Sequence, residues 1–175
     1  MTEAVSRLKT RLDRLDASRL VFYGHSLGAV IAFELARSVA PSAAALVVSG
    51  RRSPDTCSDL AQEDLTDSRN VRTLMIRLMN PPTEVLADSA LLTLASRAFV
   101  ADLEISRTYL VTKDITLNIP VTVAAFDRDD VVPPEAMNGW EKFTTASFDQ
   151  VALEGGHDAP AGAPAPLLKL LGEHF

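Results

Sequence analysis

Apolar residues in this chain follow two different rhythms. Near the start, Val5, Leu8, Leu12 and Leu15 recur every three or four positions, which predicts an amphipathic helix over residues 3–16. Elsewhere the apolar residues come in short unbroken runs. "RLVFYG" (19–24), "AAALVVSG" (43–50) and "IPVTVAAF" (119–126) are too short for helices and rich in β-branched or aromatic residues, so each predicts a buried strand. "ASFDQVALEGG" (146–156) ends in a fourth. "AVIAFELARSVA" (29–40) returns to helical spacing and is stopped by Pro41, and "APAPLLKLLGEHF" closes the chain as a helix. Residues 55–112 carry almost no strand signal and read as several helices. Apolar strands alternating with helices predict the α/β class: a parallel sheet covered on both faces, with the 55–112 segment a helical insertion at one end.

At 175 residues and 47% hydrophobic content the chain can bury one sizeable core, so a single domain over 1–175 is expected. A net charge of −6 argues against a nucleic-acid partner, which calls for a basic face. The single cysteine, Cys57, leaves no disulfide within these residues and no multi-cysteine zinc site, and neither a metal nor a cofactor is expected. No apolar segment reaches the roughly 18–20 residues of a membrane span. "MTEAVSRLKTRLDRL" is not a secretion signal, so the expected location is the cytoplasm.

Chemistry enters where the first strand gives way to a helix. Gly24-His25-Ser26-Leu27-Gly28 has the form G-x-S-x-G. That pattern suits a sharp strand-to-helix turn holding a serine in a strained conformation with its hydroxyl exposed, small residues two positions either side avoiding collisions. The amide of Leu27 would then face a developing oxyanion, at a helix end that favours negative charge. A tight turn with an inert serine is the alternative. A nucleophilic serine needs a base, and the histidines are His25, His157 and His174. His25 adjoins the serine in the turn, where its side chain is expected to point elsewhere; His174 lies beside the chain end. His157, in "LEGGHDAP" directly after the last strand, stands where a base belongs. The orienting carboxylate comes from "AAFDRDDVVPP", which offers Asp127, Asp129 and Asp130. Ser, Asp, His is the chain order of α/β-hydrolases.

With those pieces in place, the chain resembles the type II thioesterases, stand-alone α/β-hydrolases that accompany nonribosomal peptide and polyketide synthases. "GHSLGAVIAFELAR" (24–37) is close to the family's form throughout. "VSGRRSP" (48–54) resembles its Ser-Gly-Arg-x-x-Pro segment, and "NPPTEVLAD" (80–88) matches the spacing of a lid segment. "ADLEISRTY" (101–109) resembles a lid helix, with Val100 where an arginine usually stands. "GWEKFTTASFDQVALEGGH" (139–157) resembles the run that ends in the catalytic histidine. The resemblance implies the acid too: the family's aspartate stands eleven positions before this tryptophan, which from Trp140 gives Asp129. Asp130 is the runner-up, and Asp127 takes the place of a family glycine. After His157 the family continues with aromatic residues; here Asp158 and Ala159 follow.

The resemblance implies a thioesterase acting on acyl groups held by the phosphopantetheine arm of an acyl or peptidyl carrier protein. Ser26, Asp129 and His157 would be its triad and the Leu27 amide its oxyanion donor. Met75, Leu78, Met79 and Phe99 would line the acyl pocket. Arg51, Arg52, Arg69, Arg72 and Arg77 are candidates for docking an acidic carrier. Family members carry further strands ahead of the helix that opens this chain, with a glycine-rich loop supplying a second oxyanion amide. The expected fold is therefore an α/β-hydrolase core, N-terminally shortened, with a lid over about 55–112. "LVFY" becomes an apolar edge strand, free to pair with a second copy in a homodimer. A small-molecule esterase, or an inactive relative that only binds carrier proteins, are the competing functions.

Overall fold

Four parallel strands form one sheet in the order β1-β2-β3-β4: β1 Leu20–His25, β2 Ala43–Ser49, β3 Val121–Phe126 and β4 Phe148–Leu153. The computed structural model describes residues 2–14, 19–39, 42–58 and 60–174. Leu15, residue 40 and Pro41, which entered the prediction of the first two helices, lie outside them.

The central strands show why their sequences are unbroken apolar runs. Every residue of β3 is buried, and every residue of β2 except Ala44, because both faces of the sheet are covered. One face carries the larger core, where α2 (Leu27–Ser38) sets Phe33, Ala29 and Ala36 against Phe22, Leu46 and Val48. On the other face α6 (Ala165–Gly172) packs Leu167 and Leu170 onto Val47, Ala124 and Phe126. β1 and β4 are the edges among the described residues, and both are only partly buried. The first helix, α1 (Thr2–Leu12), rests on α2 through Val5 and Leu12, while Leu8 is 38% exposed. No helix among the described residues is long and apolar enough to cross a membrane.

Between β2 and β3 the chain is helical, as the missing strand pattern predicts: α3 (Ser68–Met79), α4 (Thr83–Ala87) and α5 (Ser89–Thr108). Asp67 caps α3 by accepting the Arg69 N–H, and Asp88 caps α5 by accepting those of Ala90 and Leu91. α3 ends at Asn80 in the left-handed conformation, φ 43°. Val71, Leu74 and Met75 of α3 join Phe99 and Leu103 of α5 in the larger core.

A 3₁₀ stretch, Pro134–Phe143, was not read from the sequence as an element; its buried residues Met137, Trp140 and Phe143 recur every third position over only two turns. It delivers Trp140, fully buried, into an edge-to-face cluster with Phe33 at 5.9 Å and Phe143 at 6.0 Å. The indole N–H of Trp140 donates to the Arg51 carbonyl at 2.8 Å, tying this stretch to the loop after β2. Trp140→Phe keeps most of the packing but strands that buried carbonyl, so it is expected to lower stability by about 1–3 kcal/mol in urea unfolding.

Candidate active site

Parallel strands put all their carboxyl ends on one side of the sheet, and the loops that leave β1, β2, β3 and β4 meet there. Ser26 follows β1 directly, with φ 51° and ψ −122°, a backbone conformation that non-glycine residues seldom adopt. The turn is held by Ser26 N–H donating to the Ser49 carbonyl at 2.9 Å, while the Ser26 carbonyl accepts from Ala29 N–H at 3.0 Å. A Cβ on Gly24 would stand 2.0 Å from the Gly28 carbonyl oxygen, so strand and helix can approach this closely only if position 24 is glycine. A Cβ on Gly28 would meet nothing within 4 Å, so the expectation that both glycines relieve crowding holds only for Gly24. Leu27 opens α2, and its N–H has no carbonyl a turn earlier to bond.

The pairing of β3 with β4 continues past the strand ends. Asp127 N–H donates to the Leu153 carbonyl, Arg128 N–H to the Gly155 carbonyl, and Gly155 N–H to Asp127 Oδ1, all at 2.9 Å. This zipper brings Asp129 and His157 together, Nδ1 to Oδ2 at 2.9 Å, with both side chains almost fully buried. Asp129 Oδ1 accepts the Val131 and Val132 N–H groups, each at 2.9 Å. Burial pushes the Asp129 carboxyl up, but the His157 bond and these amides outweigh it and hold the group below the usual carboxylate range. Of the other two aspartates, Asp130 is exposed and pairs with Arg77 at 3.2 Å, and Asp127 serves the zipper. Ser26 and His157 line the same cavities, although no hydrogen bond joins them among the described residues.

His25 corrects the sequence expectation. Its ring does not turn away but packs on the His157 ring, centroids 4.6 Å apart, because the pleat of β1 aims it at the loop after β4. Its Nδ1 lies 2.9 Å from Ser49 Oγ, which lies 2.9 Å from the Tyr23 hydroxyl. Gly50, at φ +58°, makes room: a Cβ there would stand 2.2 Å from His25 Cε1 and 3.0 Å from His157 Cε1. Tyr23, Ser49 and Gly50 were missed as site residues. The only signal for them was the Ser-Gly pair closing the second strand.

Beside Ser26 opens a cavity of about 190 Å³, lined on its apolar side by Leu27, Leu78, Met79, Phe99 and Leu103. Met75, expected in this lining, is instead packed inside the helical segment, where its Sδ accepts the Ser96 hydroxyl at 3.4 Å. Arg51, expected on a docking face, is 4% exposed and donates to the Ser106 hydroxyl and carbonyl at 3.1 and 3.0 Å. Among the described residues no group of three or more His, Cys, Asp or Glu side chains is arranged to hold a metal.

The sequence pattern of the thioesterase domain family matches residues 6–165. The chain belongs to that family. It is 37% identical over 145 residues to thioesterase PikA5 of Streptomyces venezuelae, covering 79% of this chain and 50% of that protein. Against a probable cadicidin biosynthesis thioesterase of Streptomyces griseus the figures are 32% over 146 residues, 82% and 40%. The chain thus spans about half the length of these curated relatives or less. Among solved structures it superposes on RedJ, a thioesterase of the prodiginine pathway in Streptomyces coelicolor, with a TM-score of 0.83 and 27% identity, covering 98% of this chain and 66% of RedJ. The type II thioesterase BorB of the borrelidin cluster gives 0.79 and 27%, covering 99% and 72%. The fold is the α/β-hydrolase fold of type II thioesterases.

Burial, and then the neighbouring His157, lower the His25 pKa to about 4, against the opposing charge of Asp129. Between the ordinary value of 6.5 and about 4 the unfolded chain therefore binds a proton that the folded protein does not. Stability is expected to fall as pH drops through that window, with a slope of about one proton. Urea midpoints across it should show the slope in the native protein and lose it in His25→Gln.

Proposed function

We propose that this thioesterase-family chain releases acyl groups from the phosphopantetheine arm of a carrier protein by nucleophilic catalysis at Ser26. The observation that carries this reading is the buried 2.9 Å bond from His157 to Asp129, opening on the same cavity as the strained Ser26. His157 takes the Ser26 proton as Oγ attacks the thioester carbonyl, and the Leu27 N–H stabilises the oxyanion. The thiol leaves with the proton from His157, giving a seryl ester. Water then gives a proton to His157 and attacks the ester; Ser26 is restored and a carboxylic acid departs. Asp129 holds the imidazole so that Nδ1 carries the hydrogen and Nε2 is free to act.

The helices of residues 55–112 serve as the lid, since Leu78, Met79, Phe99 and Leu103 supply the apolar wall of the cavity. A thioester on a carrier arm is favoured over a free ester by the relatives, which are thioesterases named for biosynthetic pathways. Arg69, Arg72 and Arg97 line a second cavity of about 590 Å³, together with Leu65, Val71 and Leu92. In a chain of net charge −6 this is a local basic rim suited to an acidic carrier face.

Acid release from an acyl-loaded carrier protein tests the proposal. Ser26→Ala is expected to lower kcat by about 10³-fold or more. A wild-type rate in that variant would remove Ser26 from the mechanism. Arg69→Glu with Arg97→Glu should raise KM for the carrier-bound substrate and leave turnover of a free acyl-pantetheine thioester unchanged.

A further inference from the structure

The side chains around His157 include a hydrogen-bonded set that the mechanism above does not use. Tyr23 and His25 lie two residues apart on β1 and so share a face of the strand, and Ser49 stands directly opposite His25 in the β1–β2 register. The fully buried Ser49 hydroxyl bridges them, 2.9 Å from the Tyr23 hydroxyl and 2.9 Å from His25 Nδ1. At the other end the His25 ring lies on the His157 ring, centroids 4.6 Å apart and tilted by 54°. Gly50 lets the two rings meet by having no Cβ to wedge between them.

We propose that Tyr23, Ser49 and His25 form a positioning chain for the catalytic base, clamping the His25 ring against His157 so that its imidazole is held on the Ser26 side. This rests on the reading of His157 as the base. Asp129 grips that imidazole at one atom, Nδ1, and a single hydrogen bond does not by itself fix the tilt of the ring about it. Contact from His25 removes that freedom. The Ser49 hydroxyl is the shared link, in hydrogen-bonding reach of the Tyr23 hydroxyl on one side and of His25 Nδ1 on the other. His25 is thereby a positioning residue: its ring packs on the His157 ring and its Nδ1 is engaged with Ser49.

The charge state matters as much as the contact. His157 becomes a cation when it takes the serine proton, and a charged neighbour at 4.6 Å would oppose that step. The groups facing His25 are His157, Asp129, Ser49 and Tyr23, with Asp102 on the far wall of the shared cavity. Burial, and then His157, lower the His25 pKa to about 4 against the charge of Asp129, so His25 is uncharged at neutral pH.

The test uses an acyl-pantetheine thioester, which needs no carrier docking, and three variants: His25→Gln, Ser49→Ala and Tyr23→Phe, each checked for an unchanged melting transition. His25→Gln and Ser49→Ala are expected to lower kcat about 10–100-fold with KM within about twofold, the scale of a misplaced catalytic group. Combined, they should lose little more than either alone, because both break one chain. Tyr23→Phe removes only a hydroxyl at the half-buried end, keeps the fold, and should lower kcat several-fold. The proton resonance of the His157 N–H held by Asp129 should broaden in His25→Gln. Folded variants with native kcat and a native resonance would overturn the positioning chain alone, provided Ser26→Ala is inactive. Native turnover in Ser26→Ala would overturn the triad and the chain with it.

Discussion

Parallel pairing of the four strands is the constraint on which everything else rests. It sends each of the four connecting loops out at the same end of the sheet, so residues 26, 50, 129 and 157 converge although the chain separates them widely. An antiparallel partner would put its loop at the opposite end. The pairing of β3 with β4 does more than align these ends. By running on through Asp127, Arg128 and Gly155, it delivers Asp129 and His157 in hydrogen-bonding register before their side chains are considered. The geometry of the site is in this sense a property of the sheet.

Two unfavourable features are concentrated at that end, and each is supported locally. Ser26 sits at positive φ, a conformation costing on the order of 1–3 kcal/mol, and is kept there by the Ser49 and Ala29 bonds and the close approach at Gly24. Asp129 is a buried carboxylate, a state that costs several kcal/mol unless paired. His157 and the two valine amides satisfy it with three hydrogen bonds. Both supports come from the loops at this end of the sheet, through backbone groups and, for Asp129, the His157 ring, so the strained residue and the buried charge coexist in one small site.

Much of this was readable in the chain because it depends on local rules. Buried parallel strands are short unbroken apolar runs, and β2 and β3 were visible on that ground. The serine turn was visible because strand, glycine, serine and helix follow one another within a few residues. What stayed hidden depends on contacts between distant segments. Trp140 meets Phe33 from over a hundred residues away, and the three-residue period of its 3₁₀ stretch lasts only from Met137 to Phe143. Spacing alone did not choose among three aspartates in one loop, and only the family resemblance pointed to Asp129; in the structure Asp127 bonds Gly155, Asp130 pairs with Arg77 and Asp129 turns inward. The contact of His25 with His157 could not be inferred from either residue's neighbours, and Arg51 looked like surface charge until Ser106 and Trp140 enclosed it. Met75 was likewise indistinguishable by spacing from the residues that do line the cavity.

The central claim is that the turn after β1 holds a live nucleophile served by Asp129 and His157. Reaction of the folded protein with a fluorophosphonate, followed by intact mass, tests it most directly, because the probe reports serine reactivity without needing the true acyl substrate. The account predicts one adduct per chain at Ser26, absent in Ser26→Ala and formed much more slowly in Asp129→Asn. A folded protein that remains unlabelled, or an adduct mapped to another residue, would contradict it.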